Sequence, residues 1–165
     1  MKTTLKYLLP ILLVPSLCLA ASSTTGKIMQ VKDGDTVVIQ PTEGGQFFIC
    51  RLYGIDAPEI PHDNKPGQPY GEESTKELKE MILGQDVTAE IRDKDKYGRE
   101  VCVIRKDGTD INREMISRGA AWAYRKYLKP NDSGYINAES DARSMRLGLW
   151  QGSPVPPWEY RKGMR

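Results

Sequence analysis

Val31-Lys32-Asp33-Gly34-Asp35-Thr36-Val37-Val38-Ile39-Gln40-Pro41-Thr42-Glu43-Gly44-Gly45-Gln46-Phe47-Phe48-Ile49-Cys50-Arg51-Leu52-Tyr53-Gly54-Ile55-Asp56-Ala57-Pro58-Glu59 decides how the chain is read. Asp33-Gly34 is a hairpin signal, since glycine accepts the positive φ that primed turns require. Thr36 to Gln40 alternates with β-branched residues, Pro41 to Gly45 is a turn, and Gln46 to Tyr53 is a further β passage. Ala57-Pro58 ends that passage, because proline offers no ladder donor and pushes its predecessor out of the helical region. With a strand beginning in Lys27 to Val31, the result is a three-stranded meander. Its carboxylates and Arg51 sit where strands turn, the usual place for function on a rigid scaffold.

Outward from this stretch the pattern changes. Ile60 to Pro69 is a proline-rich loop containing the sole histidine, His62, read as a loop residue with no special task; one histidine excludes chemistry that needs two. Tyr70 to Leu83 is helical, with Leu78, Met81 and Ile82 at helix spacing and Gly84 as the stop. Val87 to Ile91 and Val101 to Arg105 alternate as strands around an Asp95-Lys96-Tyr97-Gly98-Arg99 turn. Lys106-Asp107-Gly108 makes another hairpin turn, and Asp110-Ile111-Asn112 opens a short helix to Arg118. Pro130 to Gly134 reads as a turn before an amphipathic helix, Tyr135 to Leu147, with Ile136, Ala138, Ala142, Met145 and Leu147 as its apolar stripe. Leu149-Trp150 is expected to pack onto the core. These elements make an α+β fold with a mainly β core: a five-stranded OB-type barrel with about three helices.

Met1 to Ala20 is a different object. Lys2 and Lys6 precede an apolar run from Tyr7 to Leu17, and Cys18-Leu19-Ala20 places small residues at the first and third positions, so residues 1–20 read as a signal peptide cleaved after Ala20. A membrane anchor would need about 20 apolar residues, and the run is broken by Pro10 and Pro15. Lipidation at Cys18 is disfavoured by the large Leu17 before it. Export to the periplasm or the medium follows, with no membrane association once the signal is gone. Its loss lowers 24 basic residues to 22, against 22 acidic ones, so net charge gives no argument for a nucleic-acid partner. Basic residues do crowd locally, at Arg113, Arg118, Arg125, Lys126 and Lys129, and again at Arg143, Arg146, Arg161, Lys162 and Arg165. Such runs are usually solvated faces. Cys50 and Cys102 remain in a compartment that tolerates disulfides. Strand alternation turns both away from Arg51 and Arg99, which leaves either a bridge or two buried thiols.

Asp35, Asp56 and Glu59 supply hard oxygen donors with no soft ligand nearby, a set suited to calcium or magnesium. Arg51 and Arg99 add planar forks fitted to phosphate oxygens. Together they point to chemistry on a phosphodiester.

In order, Asp33-Gly34-Asp35-Thr36, Arg51 with Asp56-Ala57-Pro58-Glu59, Tyr70-Gly71, Asp95-Lys96-Tyr97-Gly98-Arg99 and Leu149-Trp150 resemble the staphylococcal nuclease family, calcium-dependent hydrolases of DNA and RNA on an OB-type barrel. The resemblance implies a domain over residues 27–151, with a polar leader at 21–26 before it and a proline-rich basic tail at 152–165 after it. It implies that Asp35 and Asp56 bind calcium and that Ala57, where the family's best-known member has threonine, lends its carbonyl. By the same likeness Glu59 positions and activates the attacking water, Arg51 and Arg99 hold the scissile phosphate, and Lys96 and Tyr97 hold a neighbouring one. Tyr127 is a further substrate-binding candidate. The implied products end in a 3′-phosphate, the favoured partners are single-stranded regions of DNA and RNA, and a monomer is expected. The competing class is an OB-type module that binds single strands without cutting them, with Trp122, Tyr124 and Tyr127 as stacking platforms.

Overall fold

The structure, a computed structural model, describes residues 22–62 and 65–163; the expected signal peptide lies outside them. Strands β1 (Ser23–Asp33), β2 (Thr36–Pro41) and β3 (Phe48–Leu52) form the antiparallel meander. The short β4 (Ile55–Asp56) follows, then helix α1 (Gly71–Ile82) and the long hairpin of β5 (Asp86–Lys94) and β6 (Glu100–Lys106). The remainder is β7 (Thr109–Asp110), α2 (Ile111–Ser117), β8 (Trp122–Ala123), α3 (Ser133–Ser144) and the single-turn α4 (Pro157–Tyr160).

Strand order β3-β2-β1-β5-β6 is closed by a parallel seam between β3 and β6, where Cys50 faces Glu100, Arg51 faces Val101 and Leu52 faces Cys102. The result is a closed five-stranded barrel with mixed pairing. Every second residue points inward: Ile28, Val37, Ile39, Cys50, Leu52, Ala89, Cys102 and Ile104 are buried, with Leu78 and Ile82 of α1 and Met115 and Ile116 of α2 packed onto them. Beside the closing seam, the buried Asn112 donates from Nδ2 to the carbonyls of Tyr53 (3.0 Å) and Cys102 (2.9 Å), while its Oδ1 accepts the Ile104 N–H (3.0 Å). A buried amide with its bonds satisfied fixes one arrangement of the strands around it. Cys50 and Cys102 are joined by a disulfide across the seam, with Cα atoms 6.0 Å apart.

Four local readings need correction. Residues 23–26 are no leader: they begin β1, pairing with β5 from Ser23 opposite Glu90 to Gly26 opposite Val87, which gives the first half of β5 its second ladder partner. Gly34 has no positive φ; it is glycine because a Cβ there would stand 2.1 Å from Ser74 Oγ and 2.7 Å from Ala57 Cβ. Helix α3 starts at Ser133 inside the expected turn and stops at Ser144. Its buried residues are Tyr135, Glu139 and Ala142, while Met145 and Leu147 are exposed beyond its end. Residues 152–163 of the tail are docked: the Tyr160 hydroxyl donates to the carbonyls of Pro66 (2.9 Å) and Gly67 (3.2 Å), and Trp158 stacks on Tyr124 with ring centroids 5.2 Å apart.

Candidate active site

The β1–β2 turn is short because Asp33 pairs with Thr36, leaving Gly34 and Asp35 between them. Asp35 Oδ1 accepts from the Thr36 hydroxyl at 3.1 Å, and its Oδ2 accepts the Ala57 N–H at 2.8 Å, so one carboxylate ties together the two acidic turns. Asp56 is placed by β4, which pairs with β8 so that Asp56 lies opposite Trp122. Arg51, opposite Thr36 on β3, reaches between the two: Nη1 lies 2.9 Å from Asp35 Oδ2, and Nη2 lies 2.8 Å from Asp56 Oδ1. Its Nη1 also donates to the Leu52 and Ile55 carbonyls, at 3.3 and 3.1 Å, which locks the fork in place.

The carboxylates are buried beyond what one arginine balances. Burial, with the neighbouring Asp35 charge, pushes Asp33 up to about 7. Burial also pushes Asp56 up to about 6, against the pull of the Arg161 and Arg51 guanidinia. Both carboxylates ionise against the loss of water, a condition that a bound cation relieves.

Glu59 is fixed through its backbone. Its N–H donates to Gln68 Oε1 (3.0 Å), its carbonyl accepts the Gln68 N–H (2.7 Å), and Gly71 lets α1 abut that carbonyl, where a Cβ would come within 2.5 Å. The Glu59 side chain is 38% exposed and its Oε1 is ion-paired with Arg161 Nη1. Arg161 also reaches Asp56, with Nη2 2.8 Å from Oδ2 and Nη1 3.3 Å from Oδ1.

Other expected site residues lie apart from this cluster. Arg99 enters β6 two residues before Val101, the partner of Arg51, so the closing seam brings it to the same barrel mouth. Its guanidinium is taken up by Asp95 of its own hairpin, Nε to Oδ2 at 2.7 Å. Lys96 lies over the Tyr97 ring, 4.9 Å from its centroid, and Tyr97 is exposed at the hairpin tip. Tyr127 is exposed and meets Tyr124 edge-on at 4.8 Å, next to Trp158. Trp122, one of the expected stacking platforms, is instead buried against Trp150.

Arg161, Trp158 and Gln68 were missed as site residues. A basic residue in a proline-rich end carries no motif; the one signal was two aromatics and an arginine together in Trp158-Glu159-Tyr160-Arg161.

Among the described residues no three His, Cys, Asp or Glu side chains converge as a ready metal cluster. The residues that could hold a cation are those the sequence reading named, Asp35 and Asp56 with the Ala57 carbonyl, and Arg51 ties the two carboxylates together. That set is all hard oxygen, and a guanidinium already held by Asp56 and Glu59 marks the place as one that takes positive charge.

Two carboxylates bridged by an arginine, with a solvent-reaching carboxylate beside them, make a site suited to chemistry on phosphate esters. A family model described as staphylococcal nuclease homologue matches residues 49–152. A Haemophilus influenzae protein named "Uncharacterized endonuclease" is 33% identical over 162 residues, covering 98% of this chain and 85% of its own. A Shigella flexneri protein named "Micrococcal nuclease" is 33% identical over 150 residues, covering 85% and 82%. An Escherichia coli "Uncharacterized endonuclease" is 34% identical over 158 residues, covering 94% and 97%. The chain belongs to the staphylococcal nuclease family, and it is a phosphodiester-hydrolysing nuclease.

Proposed function

We propose that the chain is an exported, calcium-dependent nuclease that cuts DNA and RNA at single-stranded regions and leaves 3′-phosphate ends, acting as a monomer. The observation that carries this reading is Arg51 bridging Asp35 and Asp56 at 2.8–2.9 Å with Glu59 three residues beyond. Asp35, Asp56 and the Ala57 carbonyl would hold calcium, which supplies positive charge against the phosphate oxygens when bound. Asp35 lies in the β1–β2 turn and Asp56 ends the two-residue β4, just where the chain leaves regular structure; such a setting suits a large ion of irregular coordination better than magnesium, which demands near-octahedral order.

The chain's own groups do the rest. Glu59, reaching solvent from a fixed backbone, accepts the proton of the attacking water; such a base contributes about 10²- to 10⁴-fold in rate. Arg51, already oriented by two carbonyls and two carboxylates, turns its Nε–H and remaining Nη2–H to the scissile phosphate, and Arg99 pivots from Asp95 to the same group. Lys96 and Tyr97 hold a neighbouring phosphate, and the exposed Tyr127 offers a ring to an unpaired base.

The test is cleavage of heat-denatured DNA with calcium, with magnesium and with chelator, followed by analysis of the product ends. Cutting in calcium alone, with 3′-phosphate ends, is expected. Full activity in magnesium alone contradicts the assignment of the ion.

A further inference from the structure

The Asp56 carboxylate is 1% exposed, and both of its oxygens are committed to guanidinia: Oδ1 to Arg51 Nη2, and Oδ2 to Arg161 Nη2 at 2.8 Å. An ion bound directly by Asp56 needs one of those oxygens. Arg51 is the poorer one to yield, since it is shared with Asp35 and tied to two carbonyls within the barrel. Arg161 is 43% exposed and comes from the tail. It also occupies Glu59 Oε1, so one guanidinium spans the two carboxylates.

Arg161 is not there by chance. Gln68 Nε2 donates to the Val155 carbonyl at 2.9 Å, the Tyr160 hydroxyl bonds the Pro66 and Gly67 carbonyls, and Trp158 lies flat on Tyr124 at an interplanar angle of 6°. These contacts bring the segment against the barrel, and the ion pairs of Arg161 are its further tie to the acidic cluster. The docked segment holds the guanidinium at high effective concentration over Asp56 and Glu59.

We propose that Arg161 is a positioning residue of the site that stands in for the cation: it keeps Asp56 and Glu59 together while the ion is away, and it gives both up when the ion binds. The tail then works as a competitor, setting the calcium concentration at which the site fills and keeping Glu59 Oε1 occupied until it does. Arg161 also lines, with Lys126 and Lys162, the cleft formed by Tyr124 and Trp158. The proposal rests on the reading of Asp56 as an ion ligand.

Calcium titration calorimetry on the mature protein without nucleic acid tests it, comparing the parent with Arg161→Gln and Arg161→Lys. A charge-assisted hydrogen bond to a buried carboxylate, discounted for the exposed arginine, corresponds to about a tenfold change in affinity. Arg161→Gln is expected to bind calcium about tenfold more tightly than the parent, with Arg161→Lys between the two. A second readout needs no variant: amide hydrogen exchange over residues 157–163 of the parent should speed up when calcium is added and slow again with chelator. Equal or weaker calcium binding by Arg161→Gln overturns the exchange of places and leaves the calcium reading intact. Failure of both proteins to take up calcium overturns both readings.

Discussion

Arg99 illustrates how much a single side chain must do beyond being present. In the structure Asp95 receives its Nε at 2.7 Å and its N–H at 3.0 Å, and the guanidinium lies 5.7 Å from the Tyr97 ring, so the fork is parked within its hairpin. Reaching a phosphate costs that pair, and a planar fork that grips two oxygens at once offsets the loss where a single ammonium does not. Arg99→Lys is therefore expected to lower the single-turnover cleavage rate by about 10²-fold, the range for loss of a positioned donor. A rate within threefold of the parent would mean that charge alone suffices there. Gly34 was legible as glycine from sequence but for a different reason: the turn needs room against Ser74 and Ala57 rather than a left-handed φ.

Among elements, the β3–β6 seam decides where the site is, because it brings the Arg51 strand beside the strand that Arg99 enters. The alternation of each strand was readable, but a parallel closure between strands some 50 residues apart leaves no local signature. The disulfide across the seam was one of two open readings for the same reason: a shared face does not fix distance. Its cysteines are 52 residues apart, which the chain-entropy model values at roughly 4 kcal/mol. Mass spectrometry of the exported protein should find Ala21 at its amino terminus and a mass that rises by two hydrogens with reductant. Free thiols on the folded protein would remove the bridge, and retention of the first 20 residues would remove the signal peptide. Helix α3 was misplaced because counting apolar residues skips Glu139, which is buried and accepts the Ala123 N–H at 3.1 Å while pairing with Arg125 at 2.8 Å. Paired charges enter a core that an apolar stripe cannot describe.

For the whole molecule, the three acidic and basic motifs were legible because each lies on a turn with its own residue chemistry, and the barrel was legible from five alternating passages. The tail was not. Its docking depends on Gln68, Tyr124 and the carbonyls of Pro66 and Gly67, all remote in sequence, so a stretch that looks like a solvated end supplies a guanidinium to the acidic pocket. The proposed function divides the labour: Glu59 would take the proton, while Asp35, Asp56 and the arginines would hold ion and phosphate. Purified Glu59→Ala and parent, compared in calcium by single-turnover cleavage and by fluorescence anisotropy on a labelled single-stranded oligonucleotide, test that division most directly. The account predicts a cleavage rate about 10²- to 10⁴-fold lower, with affinity within about tenfold of the parent because the phosphate contacts remain. A Glu59→Ala protein that cuts as fast as the parent would contradict it.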